Sequence, residues 1–567
     1  MACHTKYGSA TLATHRPILC LPIKICDRRP DNSARYGREA GSGNYRIMRR
    51  IVPNVSHKTV LTEKVFRWWD FPLFMALTGL SASGILYFFS YWFSHKDWNQ
   101  SPFIFSILTL MVFVILLNNQ GRWFLLLCMR RPRPMAVPPG LRVGVATTFV
   151  PGPEPLQMLE QTVKALVAMD YPHDTWVLDE GDDEQVKALC RRLGANHFSR
   201  KSVPHHRTES GMFQSDSKHG NYNAWFDEIG FNQYDIITAF DPDHVPDADF
   251  LSNVLGYFAD PQVGYVQAAQ HYYNYRASFI ARGAAEESYA FYSSDQMASY
   301  SIGYPILIGC HNTHRVTALK EMGGFPAHDA EDLLLTVLYR AAGWKGVYLP
   351  QILASGLTPV DWSGYLGLQR RWARSVLDIK LRLYPKLSRN LSFKARTIGF
   401  LHGVNYLYRS LIIFSSVLLV AFMLATANTP HVFSYFGVQK LAILFAILQL
   451  CAFYRQRFYL NPRNEWGLHW RGAILQFAKW PYLLLALYEV LVSRHVPYVL
   501  TPKVSTKSRH KVLFWPHVIV ATVICAAWTL GMLSGQTLHP LLHLCAATIV
   551  TGSLALIFTE HLHFPDA

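Results

Sequence analysis

Residues Ile236-Ile237-Thr238-Ala239-Phe240-Asp241-Pro242-Asp243-His244 decide how this chain is read. A short apolar run of this kind predicts a buried strand, and it ends abruptly in two carboxylates. An Asp-x-Asp placed directly after a buried strand puts both acids at one edge of a sheet. There, oxygen ligands hold a hard divalent cation and, through it, a diphosphate. A loop of solvated acids is the plainer reading of the same residues, and the surrounding sequence decides between the two.

Working outward, short apolar segments alternate with amphipathic ones: Val143 to Val150, a helical Leu156 to Ala168, Trp176 to Leu178, a helical Glu184 to Leu193, a helical Asp249 to Phe258, and Gly264 to Ala268. Strand, helix, strand order predicts a parallel sheet covered by helices, with ligands at the carboxyl ends of its strands. The acids fall there. Asp179-Glu180-Gly181 closes one strand, and Asp241 and Asp243 close another. Upstream of the latter pair, Lys218-His219-Gly220-Asn221 offers a cation and a flexible turn suited to phosphate. Downstream, Glu331 and Asp332 open a predicted helix, although the positive end of any helix favours acids in its first turn. Further on, Gln369-Arg370-Arg371-Trp372 combines cations for a departing diphosphate with an aromatic face for a sugar ring.

Of the 567 residues, 54 are Lys or Arg and 38 are Asp or Glu, a formal charge of +16, and only 16% are charged. Soluble chains average about 25%, so a wholly soluble or secreted protein is excluded. The deficit lies in long apolar runs: Phe71 to Phe93, Phe103 to Leu117, Leu411 to Ala427, Phe436 to Tyr454, Gly472 to Val492, Leu513 to Leu533 and Leu541 to Phe558. Phe103 to Leu117 is short for a span of about 17–25 residues and borrows Asn118 to Gln120. Lys and Arg gather in cytoplasmic loops. They flank the first two runs at Arg49, Arg50, Lys58, Lys64 and Arg67, and again at Arg122, Arg130, Arg131 and Arg133, so both ends face inward. Gly472 to Val492 has basic clusters on both sides and carries Lys479, Trp480, Pro481 and Glu489, which suits a helix lying in the headgroup plane, with a seventh span as the alternative. The expected order is a basic arm (1–65), two transmembrane helices (66–128), a cytoplasmic domain (140–395), two more helices (397–455), an interfacial helix with a following loop (470–511) and a last pair (512–559). The nine cysteines include no C-x-x-C pair, so neither a zinc knuckle nor a disulfide framework is indicated.

Taken together, Asp179, Lys218-x-Gly220-Asn221, Asp241-x-Asp243, Glu331-Asp332 and Gln369-Arg370-Arg371-Trp372 resemble the membrane-embedded, processive, inverting glycosyltransferases of family 2, of the cellulose, chitin and hyaluronan synthase type. Tyr498-Val-Leu-Thr501-Pro-Lys503 looks like that family's gating loop. The resemblance implies an α/β, nucleotide-sugar-binding domain of the GT-A type inserted in an α-helical transmembrane bundle. It implies Asp332 as catalytic base and Asp243 as ligand of Mg²⁺ or Mn²⁺. Thr147, Glu154, Asp179, Lys218, Asp241, Gln369, Arg370 and Arg371 fall to the UDP-sugar donor. Trp372, Glu331, Gln267 and Cys310 fall to the polysaccharide acceptor, and Tyr498, Thr501 and Lys503 to the gate. The sequence departs from the pattern at Leu368, where a Gln belongs, at Ala330 for Thr, at Pro153, and at Glu180 for the second Asp of Asp-Asp-Gly.

The implied reaction is processive transfer of glucose from UDP-glucose to a β-glucan at the inner (plasma) membrane, with the catalytic domain cytoplasmic. Membrane lipid is an expected partner, and an accessory export subunit or an oligomer is allowed. Alternatives are a non-processive membrane glycosyltransferase, a synthase using UDP-N-acetylglucosamine or UDP-glucuronate, and, more distantly, a transporter or receptor with a nucleotide-binding insert. Nucleic acid is not expected, because the basic excess follows the membrane loops and the arm rather than a folded patch.

Overall fold

The computed structural model describes residues 59–94, 97, 101–494, 513–535 and 537–559. The basic arm up to residue 58 and the gating-loop residues Tyr498, Thr501 and Lys503 lie outside the described residues.

Eight strands form one sheet: β1 (Val143–Phe149), β2 (Asp174–Asp179), β3 (Asn196–Phe198), β4 (Ile236–Phe240), β5 (Val245–Pro246), β6 (Val263–Tyr272), β7 (His311–Arg315) and β8 (Lys345–Gly356). Their spatial order is β3-β2-β1-β4-β7-β6-β8-β5. The longer helices are α1 (Phe71–Trp92), α2 (Pro102–Leu125), α3 (Leu156–Val167), α4 (Glu184–Leu193), α5 (Lys218–Trp225), α6 (Phe279–Ala290), α7 (Glu331–Ala342), α8 (Trp362–Asp378), α9 (Phe393–Thr426), α10 (Tyr435–Gln456), α11 (Trp470–Leu491), α12 (Trp515–Leu533) and α13 (Pro540–Thr559).

Strand β4 shows why the deciding stretch is almost wholly apolar. Its side chains alternate between faces: Ile237 and Ala239 enter a cluster with Tyr222, Trp225 and Tyr339, while Ile236 and Phe240 enter one with Phe250, Leu251 and Val254. Both faces are covered, and the strand's single polar residue, Thr238, is buried with its hydroxyl against that of Thr313. The chain runs outward through β2 and β3 and returns to β4 on the other side of β1. Their carboxyl ends therefore open a crevice at the point where the winding reverses.

The sheet is mixed, not parallel as the alternation of segments predicts. β7 runs antiparallel to both β4 and β6. Its sequence, His-Asn-Thr-His-Arg, has no apolar residue, yet its first four side chains are buried. Burial is tolerated because each polar group finds a partner. Thr313 meets Thr238 hydroxyl to hydroxyl at 3.1 Å, Asn312 donates to the Ile308 carbonyl at 2.8 Å, and His314 lies 2.6 Å from Asn312 Oδ1 and 3.1 Å from the Tyr339 hydroxyl. No periodicity argument detects such a strand.

Seven helices among the described residues are long and apolar enough to cross a membrane: the segments 68–92, 102–128, 406–426, 435–456, 470–491, 515–533 and 540–559. The short second run continues as helix to Leu125 because its polar end is absorbed by α1, with Gln120 donating to Ser81 Oγ at 2.9 Å and the Trp123 indole to Thr78 Oγ1 at 2.8 Å. Helix α11 meets the same length and composition criteria but differs in what it packs against. Its buried Lys479 donates to Glu287 of α6 (2.9 Å) and to Gln369 of α8 (3.0 Å), and its buried Glu489 pairs with Arg370 of α8.

Candidate active site

Helix α5 places the first cation. Ser217 caps it, accepting from Gly220 N–H at 3.1 Å. Tyr222 hooks it to the sheet through the carbonyls of Ala146 in β1 (3.0 Å) and Phe240 in β4 (2.8 Å), and Asn221 donates to the Leu178 carbonyl of β2 at 2.9 Å. Gly220 is required for close approach, since a Cβ there would stand 2.2 Å from the Gln214 carbonyl oxygen. The Lys-His-Gly-Asn motif is thus a docking device that leaves Lys218 at the helix start, facing the carboxyl edge.

Lys218 Nζ lies 2.7 Å from Asp241 Oδ1, 3.1 Å from Glu331 Oε1 and 2.6 Å from the Gly309 carbonyl oxygen. Burial acts to lower the pKa of this ammonium, but Asp241 and Glu331 outweigh it and hold the pKa well above its ordinary value. Asp332 completes the cluster. Its Oδ1 accepts from Leu333 N–H at 2.7 Å, and its Oδ2 is 3.3 Å from where a Cβ on Gly309 would lie. Burial, and then repulsion from Glu331, raise its pKa to about 7, with Lys218 acting the other way. A carboxyl poised near neutrality is the property a general base needs. Thr336 anchors the helix turn beneath it, donating to the Asp332 carbonyl at 2.9 Å and accepting from Leu307 N–H at 3.0 Å.

Asp243 lies at the same edge, one residue beyond Pro242. It is buried, accepts from Leu357 N–H at 3.3 Å, and has His244 Nδ1 3.4 Å from its Oδ1. Ligand atoms of Asp241, Asp243 and His244 lie within 4.8 Å of one another. The two carboxylates are a donor set that fits Mg²⁺ or Mn²⁺.

Of the other residues that the sequence singles out, several support the site from behind. Asp179 is fully buried and spends its carboxylate on the loop after β2, accepting from Gly181 N–H (2.9 Å) and Asp183 N–H (2.6 Å) beside His197 (3.1 Å). Glu154 closes the turn after β1 by accepting from Val150 N–H at 2.8 Å, and Thr147 is buried within β1. Gln267 is buried too. It donates to the carbonyls of Ala268 (2.9 Å) and His311 (2.8 Å) and accepts from Ile308 N–H (2.8 Å), so it shapes the segment before β7 with no exposed surface to offer an acceptor.

Helix α8 divides its motif between two neighbours. Gln369 and Arg370 turn to α11, not to the carboxylate cluster. The face bearing Arg371, Arg374 and Asp378, three and four residues apart, turns to the loop before Asp332: Arg374 pairs with Asp329 at 2.7 Å and Asp378 with His328 at 3.2 Å. Trp372 is 36% exposed, leaving an indole face open. Glu180, where the motif usually has Asp, reaches the fully buried Arg200, which binds it through two nitrogens (3.0 and 2.8 Å) and also donates to the carbonyls of His206, Phe213 and Gln214. The longer side chain is explained by that clamp. The Gly309 carbonyl, His244 and His311 are site groups that motif reading passes over, since one is backbone and the others are lone histidines.

Residues 145–375 match the family model described as glycosyltransferase like family 2. The chain is 27% identical over 262 residues to cellulose synthase 2 of Novacetimonas hansenii (44% of this chain, 16% of that one). It is 26% identical over 298 residues to the UDP-forming cellulose synthase catalytic subunit of Xanthomonas axonopodis pv. citri (51% and 38%). Residues 145–375 are thus similar to family 2 glycosyltransferases of the cellulose synthase type. This chain spans between 15% and 38% of the length of the curated relatives it matches. Among solved structures, the mannosyltransferase of Pyrobaculum calidifontis, in complex with GDP-Man and Mn²⁺, aligns with a TM-score of 0.46 at 17% identity, covering 69% of this chain and 99% of that one. Within the glycosyltransferase domain, the carboxyl edge of β4, the start of α5 and the start of α7 meet at Lys218.

Proposed function

We propose that this protein transfers glucosyl units from UDP-glucose, processively and with inversion, to a growing β-glucan that leaves through the helix bundle. The observation that carries this reading is the Lys218 junction, where one ammonium holds Asp241 and Glu331 beside an Asp332 that titrates near neutrality. Asp332 takes the proton from the acceptor hydroxyl as it attacks the anomeric carbon. Lys218 fixes Asp241 at the donor side and Glu331 at the acceptor side, so both substrates are oriented by one group. Arg371 meets the departing diphosphate, and Trp372 gives the acceptor sugar an aromatic face. Asp241 and Asp243 would hold the divalent cation, which when bound supplies charge neutralisation for the diphosphate.

Neutral sugars are favoured because the flank of the site offers amide, hydroxyl and aromatic groups. Gln270 bonds Tyr292 and His244, Asn274 bonds Thr358, and Tyr273 is exposed. The test is a membrane preparation given labelled UDP-glucose, UDP-N-acetylglucosamine and UDP-glucuronate separately, with the polymer digested by linkage-specific hydrolases. Incorporation from UDP-glucose into long β-glucan is expected, and a preference for either other donor would overturn the glucan reading. Asp243→Ala is expected to abolish incorporation and to remove the Mn²⁺-dependent part of UDP binding, measured by calorimetry on the detergent-purified protein.

We further propose that the glycosyltransferase domain faces the cytoplasm and that α11 lies along the membrane surface beneath it. Its buried Lys479 and Glu489 are used to dock α6 and α8, which favours a helix in contact with the domain along its length. Cysteines introduced as Leu468→Cys and Arg494→Cys, at exposed positions on either side of α11, are expected to be labelled from the same face of sealed vesicles. Labelling from opposite faces would make α11 a crossing helix.

A further inference from the structure

Cys310, His311 and His244 form a second cluster behind the Asp-x-Asp edge. One ligand atom from each lies within 4.8 Å of the others, and all three side chains are buried. Two come from the junction of the Gly309 loop and β7, and the third from the turn after β4, so two strands that pair in register bring them together. A tetrahedral zinc ion, with bonds of about 2.0–2.3 Å, holds its ligand atoms about 3.3–3.7 Å apart. Cys310 Sγ and His311 Nδ1 are already 3.1 Å apart.

The outer partners are those of a ligating set. His311 Nε2 lies 3.2 Å from the Ala268 carbonyl oxygen. That carbonyl can only accept, so the ring carries its proton on Nε2 and directs the Nδ1 lone pair at the sulfur, as carbonyl-bonded metal-binding histidines do. His244 Nδ1 lies 3.4 Å from Asp243 Oδ1, a carboxylate that takes its proton-bearing nitrogen and leaves Nε2 unprotonated, where the Gln270 amide nitrogen stands at 3.3 Å. No Lys or Arg forms an ion pair with any of the three among the described residues, so a cation meets no fixed positive charge in contact.

We propose that Cys310, His311 and His244 bind a borderline-soft divalent cation, with zinc as the representative, at a site separate from that of the hard cation held by Asp241 and Asp243. Thiolate and imidazole ligands select zinc over Mg²⁺ and Mn²⁺. Because the Gly309 carbonyl accepts from Lys218 Nζ, the ion fastens the backbone that supports the Lys218 junction to the segment carrying Asp243. Zinc then sets the geometry of the acceptor flank without entering the reaction.

The test uses the full-length protein in detergent, stripped with chelator and titrated with Zn²⁺, and separately with Co²⁺ as a spectroscopic probe. One equivalent of zinc is expected at micromolar free metal, and Co²⁺ is expected to give a near-ultraviolet sulfur-to-cobalt charge-transfer band. Cys310→Ser should remove that band, and His311→Ala should weaken zinc at least tenfold, while Asp241→Asn, outside the cluster, should retain both zinc and band. Gel filtration and a cooperative thermal melt in detergent identify variants that fold. Absence of stoichiometric zinc in the folded wild type, or a cobalt complex whose spectrum is unchanged by Cys310→Ser, would overturn the proposal. Neither readout depends on which sugar is transferred.

Discussion

Asp332→Asn is expected to lower turnover by about 10²-fold or more while UDP binding survives, because the change keeps the shape of the side chain and removes the proton acceptor. The pH dependence separates this from a merely structural effect. Burial and Glu331 set the Asp332 pKa to about 7, and only the ionised carboxylate accepts a proton. In the wild type, kcat/KM should therefore rise about tenfold per pH unit below pH 7 and level off above it. The residual activity of Asp332→Asn should lack that limb. Stability should move the opposite way. The carboxyl's pKa is raised in the fold above its unfolded value of about 3.9, so the native state binds this proton more tightly. Its contribution is greatest below pH 4 and is lost as pH rises through about 7. Asparagine cannot ionise, so at pH 8 the variant should melt above the wild type in a detergent thermal-shift measurement. Full turnover in Asp332→Asn would remove Asp332 from the role of base.

Lys218→Met is expected to be the most damaging single change at the junction, costing about 3 kcal/mol of stability together with nearly all transfer. The figure follows from leaving half-buried acids without their counter-charge, here Asp241 at 2.7 Å and Glu331 at 3.1 Å. Lys218 also lowers the pKa of Asp332, so the acid limb of the rate profile should shift upward in whatever activity remains. Lys218→Arg should recover little, because a planar fork cannot put one nitrogen within 2.6 to 3.1 Å of three oxygens that converge on a point. A thermal midpoint and a pH–rate profile for both variants check this. An unmoved acid limb in Lys218→Met would mean that Lys218 and Asp332 do not share one electrostatic site.

Much of this was legible in the amino-acid sequence. Continuous apolar runs such as Ile236 to Phe240 announce strands covered on both faces, because hydrophobic periodicity is a local property and survives without knowledge of the partner. The long apolar runs likewise mark the helices able to cross a membrane, and acids placed directly after a strand must lie at a sheet edge. The order of Lys218, Asp241, Asp243, Glu331 and Asp332 along the chain carries the resemblance to family 2 glycosyltransferases, because each motif is short and local.

Tertiary structure alone decided the rest. β7 is built of His, Asn and Thr, and became a central strand because pairing with β4 and β6 and side-chain hydrogen bonds satisfied every group, which depends on residues far away in sequence. Gln369 and Arg370 sit beside Arg371 in the motif but bind Lys479 and Glu489, since neighbouring residues on a helix point about 100° apart and a second helix occupies their side. The near-neutral Asp332, the three oxygens around Lys218 and the meeting of His244 with Cys310 and His311 are also invisible in the chain. Desolvation and Coulomb forces depend on distance in space, and that distance is set only when α5, β4, β7 and α7 have packed.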